Sequence, residues 1–161
     1  MEDMAQIKIM ERYVVFGLNE LRIALPLSAV ERVVAAVYIN PLPDAPAIVL
    51  GVINVQGRVM PVVNMRHRFR LEDRRMVLAD RLIIAHTARR PVALVVDEVH
   101  GVFEYPAPAL VDGAEILAGL DYVEGVVKRA DGLVLIHNLE RFLSLTEEEA
   151  LTRAMTTAAD R

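Results

Sequence analysis

Chemistry at neutral pH would have to come from four histidines, two serines and the carboxylates, because this 161-residue chain has no cysteine. His67, His86, His100 and His137 show neither the i, i+4 helical spacing nor the acid-flanked motif that metal binding or base catalysis uses. Ser28 and Ser144 stand outside any Gly-x-Ser-x-Gly turn, and Ser144, before Leu145-Thr146, suits a helix end better than a nucleophile. Asp97-Glu98 is an adjacent carboxylate pair in a strand region, where alternation sends neighbours to opposite faces and works against a cooperating acid–base dyad. The eight glycines include no phosphate-cradling loop that opens a helix. A catalytic reading would need a pocket joining His100 to Asp97 or Glu98. The expectation is a chain without catalysis, cofactor or metal, whose function lies in its surface.

A formal charge of −4 and few aromatics oppose nucleic-acid binding, which needs clustered Lys and Arg interleaved with stacking rings. The dense basic run Arg66-His67-Arg68-Phe69-Arg70, continued by Arg74-Arg75, is broken by Glu72-Asp73 and reads as a solvated connection between strands. Apolar runs stop short of the roughly 18–20 residues that cross a bilayer, and Met1 to Ile9 lacks the build of a secretory signal. With no disulfides to form, the expected compartment is the cytoplasm, without membrane insertion.

The elements that would carry such a surface are strands. Short β-branched runs cover Tyr13 to Phe16, Leu21 to Leu25 and Val30 to Ile39, and the prolines of Asn40-Pro41-Leu42-Pro43-Asp44-Ala45-Pro46 then break the ladder. Gly51 to Val55 and Arg58 to Val63 flank Gln56-Gly57 as a hairpin, which puts Pro61 at a bulge or an unpaired edge position. Leu82 to Ala85, Val92 to Asp97, Val99 to Tyr105, Tyr122 to Arg129 and Leu133 to His137 follow, the last two around Ala130-Asp131-Gly132. From Thr146 the pattern changes to first-turn acids followed by apolar residues at helical spacing, so residues 146–161 form a terminal helix.

The hairpins repeat. Gly51-Val52-Ile53-Asn54 through Asn64-Met65 parallels Gly125-Val126-Val127-Lys128 through Asn138-Leu139, 74 positions apart at both ends (125 − 51; 138 − 64). Each copy closes on Arg-Phe, at Arg68-Phe69 and Arg141-Phe142, so the repeats span 51–69 and 125–142. Upstream, Ile23-Ala24-Leu25 before Val30-Glu31-Arg32-Val33 resembles Val92-Ala93-Leu94 before Asp97-Glu98-Val99-His100. Two strand-rich copies in so short a chain imply two small barrels, each needing the other to bury enough apolar area.

The stretch Gly51-Val52-Ile53-Asn54-Val55-Gln56-Gly57-Arg58-Val59-Met60-Pro61-Val62-Val63-Asn64-Met65-Arg66 resembles the signature of CheW, the bacterial chemotaxis coupling family. Leu42-Pro43-Asp44-Ala45-Pro46, the Val95-Val96-Asp97-Glu98-Val99 segment and Leu133 to Leu143 align in the same order, so the likeness spans roughly Arg12 to Leu145. It implies a mostly β fold of two Src-homology-3-like five-stranded barrels around a shared core, as one domain over 12–145 with a C-terminal helix. It further implies a non-catalytic adaptor between chemoreceptor signalling tips and the regulatory domain of the histidine kinase CheA. The receptor-binding positions that match are Val30, Arg32, Gly51, Asn54, Gln56, Gly57, Val92 and Val95, and the kinase-binding ones are Leu18, Leu21 and Leu27. Gly51 and Gly57 also have a purely conformational reading.

The family usually reads Asn-Leu-Arg-Gly where this chain has Asn54-Val55-Gln56-Gly57, and places a glutamate where this chain has Arg32. Strict strand alternation would send Glu31 to the opposite face, so it would not stand in for that glutamate. These departures admit a divergent member that binds the kinase but not receptors, or one that serves a non-motility pathway.

Overall fold

The computed structural model describes residues 9–106 and 123–159. The amino-terminal segment read above for a leader, Tyr122 at the head of its strand and residues 160–161 of the tail lie outside the described residues.

The chain starts in one sheet with β1 (Met10–Leu18) and β2 (Leu21–Pro26) and turns through a 3-10 segment, Leu27–Ala29. It then builds a second sheet from β3 (Val30–Ala35), β4 (Val49–Val55), β5 (Arg58–Val63), β6 (Arg81–His86) and β7 (Pro91–Val96). It returns to the first with β8 (Glu98–Pro106), β9 (Val123–Arg129) and β10 (Gly132–His137). The sheets run β8-β1-β2-β10-β9 and β3-β6-β7-β5-β4, each with one parallel pair, β2 with β10 and β5 with β7. A short helix, α1 (Met65–Arg68), follows β5, a 3-10 turn (Leu139–Arg141) follows β10, and α2 (Leu145–Ala159) closes the chain.

β2, β6 and β7 read as near-continuous apolar runs because both of their faces are covered, whereas β3 and β8 alternate with one face open. In β1, Tyr13 and Val15 point into the first barrel with Ala24, Tyr105, Val127, Val134 and Ile136. Their neighbours Val14 and Phe16 join one large cluster shared by both sheets, which includes Leu25, Val63, Leu94 and Ile83 and is covered by Leu151 and Ala154 of α2. Ile53, Met60, Val62, Leu82, Ile84 and Ala93 fill the second barrel. The barrels therefore share the face that neither could bury alone.

The repeat holds strand for strand: β4 and β9, like β5 and β10, start and end 74 positions apart. Asn64 and Asn138 each cap the following turn, accepting from the amides of His67 and Glu140. The bulges repeat as well. Register slips between Val30 and Arg32 in β3 and between Val99 and Gly101 in β8, which makes Val99, and not Asp97, the counterpart of Val30.

Three local expectations shift. The run from Val30 leaves the ladder after Ala35, and only Asn40 of the following stretch pairs again, across from Val52. Pro61 lies in a strand with neighbours on both sides, opposite Val52 of β4, but pairing with β7 begins at Val62, so its missing donor breaks no bond on that flank. The helix starts one residue early because Ser144 and Glu147 form a capping box, the Ser144 hydroxyl accepting from the Glu147 amide at 3.1 Å and the Glu147 carboxylate from the Ser144 amide at 2.8 Å.

Candidate protein-interaction site

The β4–β5 hairpin turns through Gln56 at φ 51° and Gly57 at φ 84°, both positive, as a two-residue turn matched to strand twist requires. The Asn54 side chain accepts from the Gly57 amide at 2.8 Å and locks the tip. Beside it, the β3 bulge brings Glu31 and Arg32 to the same side, where they line an open hollow of about 370 Å³ with Gln56 and Arg58. Arg58 donates to the Glu31 carboxylate at 2.5 Å, and Arg32 Nε lies 4.0 Å from the same oxygen. The expectation that alternation removes Glu31 from this face is therefore corrected, because a bulge sets two residues against one. The acid and base that the sequence lacks at positions 32 and 56 stand at positions 31 and 58.

Arg32 and Gln56 are thus brought together, with Asn54 and Gly57 supporting the tip. Val30 and Val95 are half-buried elsewhere on the second barrel, Val30 against the shared core and Val95 against the barrel interior and beside exposed Leu50. Val92 is a shared-core residue and offers no surface. Gly51 is buried too, for a reason of its own. A Cβ there would stand 2.2 Å from the Asn40 carbonyl oxygen, which accepts from the Val52 amide at 2.7 Å. Of the kinase-binding candidates, Leu18 is fully buried and presents nothing, whereas Leu21 and Leu27 are half-buried against the shared core.

A polar cluster that the residue pattern did not announce joins the two barrels. Asp97, at the crossing from β7 to β8, accepts from the Asn19 amide at 2.7 Å, from Arg66 of α1, and from Arg74 at 2.6 Å. Arg66 also donates to the Asn19 side chain at 2.7 Å, and Arg74 clasps Asp80 at 2.7 and 2.9 Å. Burial alone would raise the pKa of Asp97, but the Asn19 amide and the two guanidiniums outweigh it and hold it below the usual carboxylate value. Asp80 is held down in the same way, against its burial, by Arg74 and the Val77 amide.

The basic run is a solvated connection only in part, since His67, Arg70 and Arg75 are exposed but Arg66 and Arg68 turn inward. Arg66 is buried, and Arg68 donates to Glu147 of α2 at 2.6 Å. In the sequence Arg66 is marked only by following directly on Met65, at the end of the strand run that closes with Val62-Val63.

Of the two pairings that a catalytic reading could use, His100 with Asp97 is not formed, and Glu98, beside His100, does not line the hollow that His100 borders. The Asp97 carboxylate is taken up by Arg66, Arg74 and Asn19, while the His100 ring sits 3.8 Å from Glu98 and lines a different hollow. Among the described residues no three His, Asp or Glu side chains gather around a metal position, and no helix is long and apolar enough to cross a membrane.

Two Src-homology-3-like barrels, fused through one core and stapled by a shared carboxylate, define a double-barrel protein whose distinctive chemistry is charge and apolar surface at strand ends. The CheW-like domain family matches residues 12–147, and the chain belongs to that family. It is 22% identical to the chemotaxis protein CheW of Treponema pallidum over 86% of this chain and 85% of that protein. It is 25% identical to the protein FrzA of Myxococcus xanthus over 92% and 95%. The crystal structure of the scaffolding protein TtCheW from Thermoanaerobacter tengcongensis superposes with a TM-score of 0.78 at 27% identity, covering 86% of this chain and 96% of that one.

Proposed function

We propose that this chain is a non-catalytic cytoplasmic adaptor that holds a chemoreceptor signalling tip and the regulatory domain of the histidine kinase CheA together in a chemosensory array. Family membership supports the scaffold role, and the Glu31–Arg58 pair beside Arg32 and Gln56 supports receptor contact through the second barrel. A helical hairpin docks by laying apolar side chains against a groove while polar groups set its register. Val30 and Val95 supply apolar surface, and the hairpin tip of Asn54, Gln56 and Gly57 supplies the polar edge. Gly51 and Val92 act behind that surface, as backbone spacing and core. Leu21 and Leu27 carry the kinase contact, with Leu18 as the buried support beneath them.

The test is capture of purified receptor-tip fragment and of the kinase regulatory domain by the immobilised full chain. Capture of both is expected. Capture of the kinase alone would instead establish the kinase-only member, and capture of neither would overturn the adaptor reading.

A further inference from the structure

The duplication gives the first barrel a counterpart of the hairpin hollow, and its chemistry is different. His100 occupies the bulge position in β8 that Glu31 occupies in β3, and the Ala130-Asp131 turn stands where Gln56-Gly57 stands in the second barrel. Between them opens a hollow of about 310 Å³, bordered by Arg22, His100, Phe103, Tyr105, Arg129 and Asp131. That volume is at the lower end of the roughly 300–1,000 Å³ of ordinary ligand sites.

Three of the chain's eight Phe and Tyr residues meet at this wall. Phe103 stacks on Tyr105 at 6.3 Å with an 8° interplanar angle, and Tyr13 backs Tyr105 at 5.8 Å. Phe103 is 39% exposed, so an aromatic face is left open to a partner. The Arg129 guanidinium lies 5.4 Å over the Tyr105 ring and, among the described residues, has no carboxylate at ion-pair distance. Arg22 reaches Asp131 at 2.7 Å, but both side chains are well exposed, and such a pair exchanges readily for an incoming carboxylate. Two guanidiniums thus face the Asp131 carboxylate around an aromatic floor, with the His100 imidazole at its edge beside Glu98. An arginine stacked on a ring keeps its in-plane donors free for a carboxylate. Among the described residues the second-barrel hollow has no aromatic and balances two arginines against Glu31.

We propose that this first-barrel hollow is a second protein-contact site, which takes an acidic segment of a partner carrying an aromatic side chain next to its carboxylates. The ring packs on the exposed face of Phe103, which Tyr105 backs from the barrel interior, and the carboxylates replace Asp131 on Arg22 and engage Arg129. This site does not depend on the receptor contact proposed for the second barrel.

The experiment titrates the isotope-labelled full chain with acetyl-Glu-Phe-Glu-amide and with acetyl-Gln-Phe-Gln-amide, following ring resonances of Phe103 and Tyr105 and amides of Gly101 and Gly132. The acidic peptide is expected to shift these signals at millimolar concentration, and the neutral peptide to bind about fivefold or more weakly, the effect of one exposed charge pair. Arg129→Gln should weaken the acidic peptide alike with an unchanged Tm, and Phe103→Ser should abolish the ring shifts. No shift at these signals, equal affinity for both peptides, or shifts confined to the Gln56 hairpin would overturn the proposal.

Discussion

Arg66 and Asp97, thirty-one residues apart in sequence, form an ion pair where the chain crosses from one barrel to the other. The two sides of this contact are not equivalent. Asp97 keeps Arg74 and the Asn19 amide if Arg66 is lost, whereas Arg66, buried, keeps among the described residues only the neutral Asn19 side chain if Asp97 is lost. A buried charge left without its counter-ion costs about 3–5 kcal/mol, while replacing the charge by an apolar residue of similar size costs far less. Asp97→Ala is therefore expected to destabilise by about 3 kcal/mol and Arg66→Met by less than half of that. Urea unfolding with an unchanged slope measures both, and equal or reversed losses would contradict the asymmetry.

The two hairpin glycines should separate folding from binding. A methyl on Gly51 meets the Asn40 carbonyl oxygen at 2.2 Å, and the backbone bridge between Asn40 and Val52 has to move. Gly57 has nothing within 4 Å of the added carbon, and only its φ of 84° resists substitution. Gly57→Ala is expected to cost about 1 kcal/mol, and Gly51→Ala several times as much. Thermal unfolding compares them, and similar Tm values for the two variants would show that the Asn40 contact yields cheaply.

His137 should set the acid limit of stability. Burial and then the positive charge of Arg68 push its pKa down from 6.5 to about 3, so the folded protein carries it neutral. Below pH 6.5 the unfolded chain takes up a proton there that the folded chain refuses, so stability is full above 6.5 and falls as pH drops towards 3. The limiting slope is about 1.4 kcal/mol per pH unit. Asp80, Asp97 and Glu147, whose values are lowered, add their own losses only once pH approaches the ordinary carboxyl values of 3.8 and 4.5. Between 6.5 and 4.5 the loss comes from His137, opposed in part by Glu124, whose carboxyl pKa is raised by burial and by the nearby Glu11 charge. His137→Leu should flatten the dependence of unfolding free energy on pH in that interval, and an unchanged slope would mean that the imidazole is protonated in the fold.

Periodicity and turn chemistry carried the strands, and the 74-residue repeat carried the duplication, because a hairpin is a local object whose two halves lie next to each other in the chain. What the pattern could not carry was non-local. Leu18 and Val92 look like any strand leucine or valine, and only the packing of one barrel on the other makes them core. Arg66 reads as one of several arginines until the chain crossing brings Asp97 to it. The bulge at Glu31 leaves no mark in a run of β-branched and charged residues, since one inserted residue preserves composition while reversing the side that each neighbour faces.

That bulge makes the second-barrel hollow testable through charge. Glu31 and Arg58 are both partly exposed, so exchanging their signs should alter stability by no more than about 1 kcal/mol. Glu31→Arg alone sets three guanidiniums around the hairpin tip with no carboxylate, and Arg58→Glu alone leaves Arg32 as the cation of the hollow. Each is expected to lower capture of the receptor tip about fivefold or more, as loss of one charge contact does. The double exchange restores the pair with its members transposed. If a partner reads each charge in place, the double variant stays weak; if the pair serves only to hold the hairpin, capture returns. Pull-down with all three variants distinguishes these outcomes, and capture unchanged throughout would remove the hollow from the receptor contact.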